Sequence, residues 1–249
     1  MPKTAGLGDN FYVDGVDVSG DTQAINNIHG GPAALDMTAI SNLGFARQGG
    51  ERDGGLSWIS YFNPGAGLTH AKLSALPTAD VICSYFQGHA VGNESASLVG
   101  KQANYDPNRG QDGSMVFTLE AQSNGFGLEW GTQHTAGIQT DVAATNSAGM
   151  DGLAQTAFGA QLYVHFFSVV GTSCTVKIQD FTSDTPASYT DVTGLTTTAV
   201  TPGQAPQAQR IQLAGNAVLR RWTRVATVGT FTSCAFAVVL VRNLTAVSF

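Results

Sequence analysis

Short runs in which apolar and polar residues alternate dominate this chain of 249 residues. Asp-Gly or Gly-Gly pairs separate many of them, and Asp14-Gly15 is one predicted turn of this kind. Alternation with a period of two is typical of strands that bury one face. In the segment 174–179, for example, Cys174, Val176 and Ile178 share one face and polar residues occupy the other. The pattern predicts a mainly β protein with antiparallel sheets, each with one face on a core.

The distribution of these runs predicts two β domains. The first covers residues 11–134 and the second residues 157–249, and a stretch at 135–156, rich in Ala, Gly, Thr and Asn, is the expected linker. Six short strand-like runs with frequent turn signals predict an antiparallel β-sandwich for the second domain; they lie at residues 161–170, 174–181, 189–192, 209–213, 218–228 and 230–242. A single helix is expected at residues 70–76, where Thr69 is the N-cap, Pro77 stops the helix and Leu73 and Leu76 share a face.

Charged side chains are scarce, and the few present are unevenly distributed. They make up 12% of the chain, against roughly a quarter in an ordinary soluble domain, so self-assembly is the simplest way to cover the surface. Residues 1–150 contain 6 basic and 14 acidic side chains, a balance of −8, and residues 151–249 contain 6 and 4, a balance of +2. Neither half has the dense basic patch that duplex DNA binding requires.

No pattern in the sequence indicates catalysis or a bound metal. Cys83, Cys174 and Cys234 lie far apart in apolar runs, which favours three buried thiols over a disulfide framework or a zinc site. The five histidines form no metal-ligand pair, and no nucleophile elbow or phosphate-binding loop is present. Glu120 and Glu129 are the best candidates for paired carboxylates, but nothing in the sequence places them face to face. We therefore expect no enzyme activity and no cofactor.

The one basic cluster is at residues 220–224, Arg-Arg-Trp-Thr-Arg. On a strand, Arg220, Trp222 and Arg224 share a face and Arg221 points away. This arrangement suits cation–π stacking, a carbohydrate or phosphate contact, or a subunit interface. A stack within the domain or an interface is favoured over ligand binding.

About half of the chain, residues 16–129, resembles the major tail tube proteins of long-tailed, siphovirus-type bacteriophages, particularly those of actinobacterial hosts. The order and spacing of several short motifs carry the resemblance, rather than any single motif. Residues 158–243 more loosely resemble β-sandwich modules of phage structural proteins. The motifs of the first half lie at residues 17–21, 52–55, 60–64, 70–80, 85–88 and 105–113.

This resemblance implies a tail-tube-type β-barrel or sandwich flanked by one short helix, with the β-sandwich appended. Identical subunits would form rings, commonly hexameric in this family, that stack into a tube through an N-terminal arm at residues 1–10 and loops at residues 20–32 or 45–55. The virion tail would be assembled in the host bacterial cytoplasm, with a tape-measure protein and a tail terminator as partners and no membrane contact. DNA would pass through without specific binding, and the candidate acids of the lumen are Asp17, Asp36, Glu94 and Glu120.

Two other classes of function stay open. One is another virion component, such as a capsid decoration protein or a baseplate-associated subunit. The other is a carbohydrate-binding β-sandwich with Trp222 as its platform. Trp58, Tyr61, Phe62, Phe117 and Leu119 are expected in the core in every case.

Overall fold

The computed structural model describes residues 6–76 and 78–247. Part of the expected arm and the predicted helix stop at Pro77 therefore lie outside the described residues. Fourteen strands in the described part of the chain belong to one hydrogen-bonded sheet, and one short helix, α1 (Thr69–Leu73), flanks it. The expected mainly β fold is confirmed. The strands are β1 (Asn10–Val13), β2 (Val16–Asp17), β3 (Thr22–Asp36), β4 (Arg47–Tyr61), β5 (Val81–Phe86), β6 (Glu94–Gln102), β7 (Asp106–Arg109), β8 (Met115–Gln133), β9 (Gln139–Asp141), β10 (Met150–Asp151), β11 (Ala160–Phe181), β12 (Thr190–Thr196), β13 (Gln207–Gln212) and β14 (Trp222–Arg242).

The sheet continues through both halves of the chain. Its main path runs β12-β11-β14-β8-β6-β5-β1-β2, and β14 joins β8 through the pairs Val239–Gln133 and Leu240–Thr132. The segment 135–156, expected as a linker, contains β9 and β10, and both of these strands pair with β14. The division into domains at residues 134 and 157 stays a prediction.

Two long paired strands, β11 and β14, make up the centre of the second half. The sequence predicted separate strands at 161–170 and 174–181, and at 218–228 and 230–242, but β11 and β14 run through both gaps and pair along almost their full length. Gly171 and Gly229 account for the difference. Their φ values of 128° and 133° are strained for other residues, so glycine lets each strand change direction without ending.

The expected loops at residues 20–32 and 45–55 are wrong. They belong largely to β3 and β4, which form one antiparallel hairpin from the pair Thr22–Ser60 to the pair Asp36–Arg47. Most of this hairpin lacks a core beneath it, so its sequence shows no clean apolar alternation. The outer strands are held only by the backbone hydrogen bonds between β3 and β4. Because no side chains there need to be apolar, the glycine-rich sequence resembles that of a loop.

Burial separates the core into three clusters. One lies within the first half, a second within the second half, and a third between them. The third contains Tyr12, Ile82, Phe86, Val99, Tyr163, Ala237, Val239 and Val241.

The predicted core aromatic residues divide into two groups. Trp58, Phe117 and Leu119 are buried as expected, whereas Tyr61 and Phe62 are exposed. Tyr61 ends β4, so the strand leaves the core there. The predicted helix is present but ends at Leu73 rather than 76, and Leu68 occupies the N-cap position instead of Thr69. The Thr69 hydroxyl instead donates to the Asp21 carboxylate.

Candidate assembly surface

The outer part of the β3–β4 hairpin extends away from the body of the protein. Within residues 6–76 and 78–247, strand β3 pairs with β4 alone, so its other edge offers backbone groups that no strand of this part of the chain pairs. Side chains from Gly31 to Phe45 are exposed, and at the tip Met37 is 61% exposed, Ile40 and Leu43 are fully exposed and Phe45 is 75% exposed. A free strand edge with an apolar tip is a template for pairing with another chain.

Two glycines hold the base of this hairpin against β8. Gly30 faces Gly54 across the ladder. A Cβ on Gly30 would lie 2.5 Å from Leu128 Cβ, and one on Gly54 would lie 2.5 Å from the Leu128 backbone nitrogen. Glycine is therefore required at both positions because the backbones approach too closely for a side chain. The Asp53 carboxylate adds a bond by accepting from the Ser123 hydroxyl at 2.9 Å.

A second exposed apolar region lies at the opposite end of β4. Phe62 contacts His70 edge-on with ring centroids 4.8 Å apart, and Tyr105 stacks on Phe117 at 4.2 Å. His70 Nδ1 lies 2.7 Å from the Tyr105 hydroxyl. We call Tyr61, Phe62, Leu68, His70 and Tyr105 the aromatic patch.

The four candidate lumen acids lie on four different strands. Asp17 is exposed on β2, Asp36 ends β3, Glu94 begins β6 and Glu120 is half-buried on β8. Local hydrogen bonds fix three of them: Asp17 to Ser19, Asp36 to Thr38 and Glu120 to Gln122. The hydroxyl and backbone N–H of Thr38 lower the pKa of Asp36. Their assignment to a lumen stays a prediction.

The basic cluster bonds to groups of the same chain. Arg220 Nη1 lies 3.3 Å from Asp180 Oδ1. Arg224 donates to Gln179 Oε1 at 2.8 Å and covers the Tyr189 ring at 4.5 Å.

Arg221 was expected to point away from the face that carries Trp222. Its guanidinium instead lies 5.8 Å from the Trp222 ring centroid and donates twice to Asp151 at 2.6 Å. This ion pair lowers the pKa of Asp151 to about 2.

No sequence pattern indicated the buried ion pair between the halves. Arg210 of β13 bonds to Glu129 of β8, and the Tyr163 hydroxyl donates to the same carboxylate. Burial lowers the pKa of Arg210, but the hydrogen bonds and charge of Glu129 outweigh it, and the pKa rises. Glu129 faces Ser97 of β6, and Ala121, next to Glu120, faces Gln102, so the two carboxylates are separated by about five residues, or roughly 17 Å, along the strands and do not form a pair.

Metal sites and membrane-spanning helices are two further possibilities within residues 6–76 and 78–247. No group of three or more His, Cys, Asp or Glu side chains there is arranged to hold a metal ion. No helix in the same part is long and apolar enough to cross a bilayer.

The projecting hairpin was missed because its apolar tip residues, Met37, Ile40, Leu43 and Phe45, follow no single period; their only signal is that they interrupt a Gly-rich, polar stretch.

No protein-family model matches the chain, and no curated protein matches it. Among solved structures, it is similar to a chain from the virion of a native gene transfer agent, with 14% identity and a TM-score of 0.41 over 51% of this chain and 98% of that one. It is also similar to the Dit protein of phage SPP1, described as a paradigm of hub adsorption apparatus in phages that infect Gram-positive bacteria (12% identity, TM-score 0.34, 94% of this chain and 99% of that one). A chain of the phage p2 baseplate has 9% identity and a TM-score of 0.34 over 94% of this chain and 98% of its own. These TM-scores lie below 0.5, so the functional conclusion rests on the geometry of the chain itself.

Proposed function

We propose that this chain is a structural subunit of a bacteriophage tail, and that identical copies form rings that stack into the tail tube. The observation that carries the proposal is the β3–β4 hairpin, whose outer strands have a free edge and whose tip exposes Ile40 and Leu43 completely. A monomer gains nothing from such a hairpin, since the exposed apolar groups and unpaired backbone favour aggregation. Pairing with copies of the same chain covers both features.

The position of the two apolar surfaces supports stacking rather than a closed dimer. The tip and the aromatic patch lie at opposite ends of β4, whose 15 residues span roughly 50 Å at about 3.4 Å per residue. A contact between different surfaces of successive copies is heterologous and repeats along an axis. Such a contact suits an open-ended polymer.

The charge distribution supports a conduit role for the first half. Residues 1–150 carry the balance of −8, and the acids Asp17, Asp36, Glu94 and Glu120 are our candidates for the lumen. Because a negative wall offers phosphates no cations, it allows DNA to pass without binding. The second half, with its balance of +2, would lie outside the tube, and a tape-measure protein and tail terminator would be the other partners.

Negative-stain electron microscopy of the purified protein, followed over rising concentration, tests this proposal. We expect regular hollow rods, with a lumen wide enough for duplex DNA. Isolated rings that never stack would instead indicate a hub or baseplate component of the tail. Monomers that persist at high concentration, or binding only to preformed capsids, would overturn the tail-tube proposal.

A further inference from the structure

Strand β8 contains a bulge in the stretch that pairs with β6. Ser123 of β8 pairs with Gly100 of β6, and the following pair is Leu128 with Leu98. Between these two pairs β8 advances by five residues and β6 by only two, which leaves residues 124–127 outside the ladder. We call these four residues, Asn-Gly-Phe-Gly, the β8 bulge.

The bulge begins with Asn124 and Gly125, which form the only Asn-Gly pair in the chain. Both residues are exposed, and Gly125 lines an open cavity of about 1040 Å³. Gly125 has a φ of 91°, and no atom of the described residues lies within 4 Å of the position that its Cβ would occupy. Because glycine has no side chain and adopts many backbone conformations, its backbone nitrogen can approach the side chain of Asn124.

The side chain of Asn124 lies beside two charged groups. Its Nδ2 donates to Asp80 Oδ1 at 2.9 Å, and Lys101 Nζ lies 2.7 Å from the same oxygen. Hydrogen bonds from Lys101 and Asn124 lower the pKa of Asp80, so this carboxyl is ionised near neutral pH. An ionised carboxylate therefore accepts from the amide, and it would repel a second carboxylate in the same place.

We propose that Asn124 deamidates spontaneously through a cyclic imide, and that the product loosens the β8 bulge. The backbone nitrogen of Gly125 attacks Cγ of Asn124. The new N–Cγ bond replaces the Cγ–Nδ2 bond, and the amide nitrogen leaves as ammonia with the proton of the Gly125 N–H. Water then adds to either carbonyl of the ring and opens it to aspartate or isoaspartate. One water is consumed, one ammonia is released, and no electrons are transferred.

The product changes the bulge in two ways. A carboxylate at position 124 loses the hydrogen bond that the amide donates to Asp80 and faces that residue with a like charge. Isoaspartate also lengthens the backbone by one atom. Phe126 follows two residues later, and its ring centroid lies 3.8 Å from the Arg210 guanidinium. The reaction is therefore expected to disturb the ring that covers the ion pair between the two halves.

The test is incubation of the folded, purified protein in a mildly alkaline buffer, followed by peptide mass mapping and enzymatic methylation of isoaspartate. Asn216, which is exposed and precedes Ala217, is the internal control. We expect Asn124 to react about tenfold faster than Asn216, which corresponds to a barrier lower by about 1.4 kcal/mol. Asn124→Gln should form no isoaspartate at this position, because its longer side chain would have to close a larger ring.

Asn124→Asp, which is one of the two products, tests the effect on the fold. Loss of the bond to Asp80 should lower the melting temperature by about 2–4 °C. Asn216→Asp is the matched control, because it adds the same charge at an exposed position elsewhere, and it should leave the melting temperature unchanged.

Three results would overturn the proposal. They are equal rates at Asn124 and Asn216 in the folded protein, aspartate at position 124 without any isoaspartate, and an unchanged melting temperature in Asn124→Asp. The measurements use the unassembled chain, so failure of this inference and failure of the tail-tube proposal are distinguishable.

Discussion

Arg210 donates hydrogen bonds to both carboxylate oxygens of Glu129 across the boundary between the two halves, with Nε 2.9 Å from Oε2 and Nη2 3.0 Å from Oε1. Their side chains are only 6% and 2% exposed. The Phe126 ring covers the guanidinium at 3.8 Å from its centroid. The boundary is therefore held by a dry, directional contact as well as by apolar packing, and the two halves are expected to unfold together.

Replacement of Glu129 by Gln tests this contact. The variant leaves Arg210 as a buried charge without its counter-ion, so the free energy of unfolding should fall by about 3–5 kcal/mol in urea titrations. Asp191→Asn is the matched control, because it breaks the more exposed Lys177–Asp191 pair and should cost less than about 1 kcal/mol. Equal effects of the two substitutions would contradict the assigned role of the buried pair.

Acid should destabilise the protein through two buried histidines. Burial lowers the pKa of His165 to about 3 and that of His134 to about 4. His165 Nδ1 accepts the Gly15 N–H at 3.1 Å, and its Nε2 lies 2.9 Å from the Ser84 hydroxyl. Protonation would set a new N–H against the Gly15 donor, so the folded state resists it.

The direction of this pH effect on stability follows from the number of protons that the folded and unfolded states bind. An unfolded histidine has a pKa near 6.5, so between about pH 6.5 and pH 4 the unfolded state binds more protons and stability falls as pH falls. Each histidine should cost about 2 kcal/mol between pH 7 and pH 5. His165→Gln should reduce this slope by about one proton in urea titrations. An unchanged slope in His165→Gln would refute the assignment.

Gly54 should tolerate no side chain. Its added Cβ would meet the Leu128 backbone at 2.5 Å, so Gly54→Ala is expected to cost about 1–3 kcal/mol by overpacking. Hydrogen exchange should then accelerate along β3 and β4, because the hairpin loses its attachment to β8. Gly44→Ala is the control, since no atom lies within 4 Å of the position that its Cβ would occupy, and it should leave exchange unchanged. Equal exchange in both variants would mean that the hairpin does not depend on this close approach.

Polar substitution at the hairpin tip should separate folding from assembly. Ile40 and Leu43 are fully exposed, so Ile40→Ser with Leu43→Ser should leave the melting temperature of the monomer unchanged. Sedimentation should show the loss of polymers, since the apolar tip is no longer covered on association. Leu153→Ser, another strongly exposed leucine, should assemble normally. Polymers that form at unchanged concentration in the double variant would exclude the tip from the interface.

Charge reversal of the candidate lumen acids tests the conduit. Phage carrying Lys at Asp17, Glu94 and Glu120, the candidate acids outside the projecting hairpin, should build tails of normal length but eject DNA more slowly, because cations on the wall bind phosphates. The measurement is the rate of DNA release after triggered ejection. Matched reversal of Asp184 and Asp191, in the second half, should leave that rate unchanged. Normal ejection from the three-site variant would count against these acids as lumen residues.

The sequence alone determined the class of structure. Alternating residues around Cys174–Ile178 and the Asp14-Gly15 turn report local geometry, and both occur as expected: Asp14 and Gly15 have φ of 48° and 76° between paired strands β1 and β2. Burial of Trp58 and Leu119 also followed from local pattern. Such features depend on residues close together in the chain, so local sequence patterns are enough to predict them.

Tertiary structure decided the rest. Glu129 and Arg210 are 81 residues apart, and neither neighbourhood indicates the other. Gly30 and Gly54 resemble loop residues in the sequence, and only the close approach of Leu128 shows why glycine stands at both positions. The projecting hairpin likewise exists because its ladder forms without a core, and periodicity detects cores rather than hydrogen bonds.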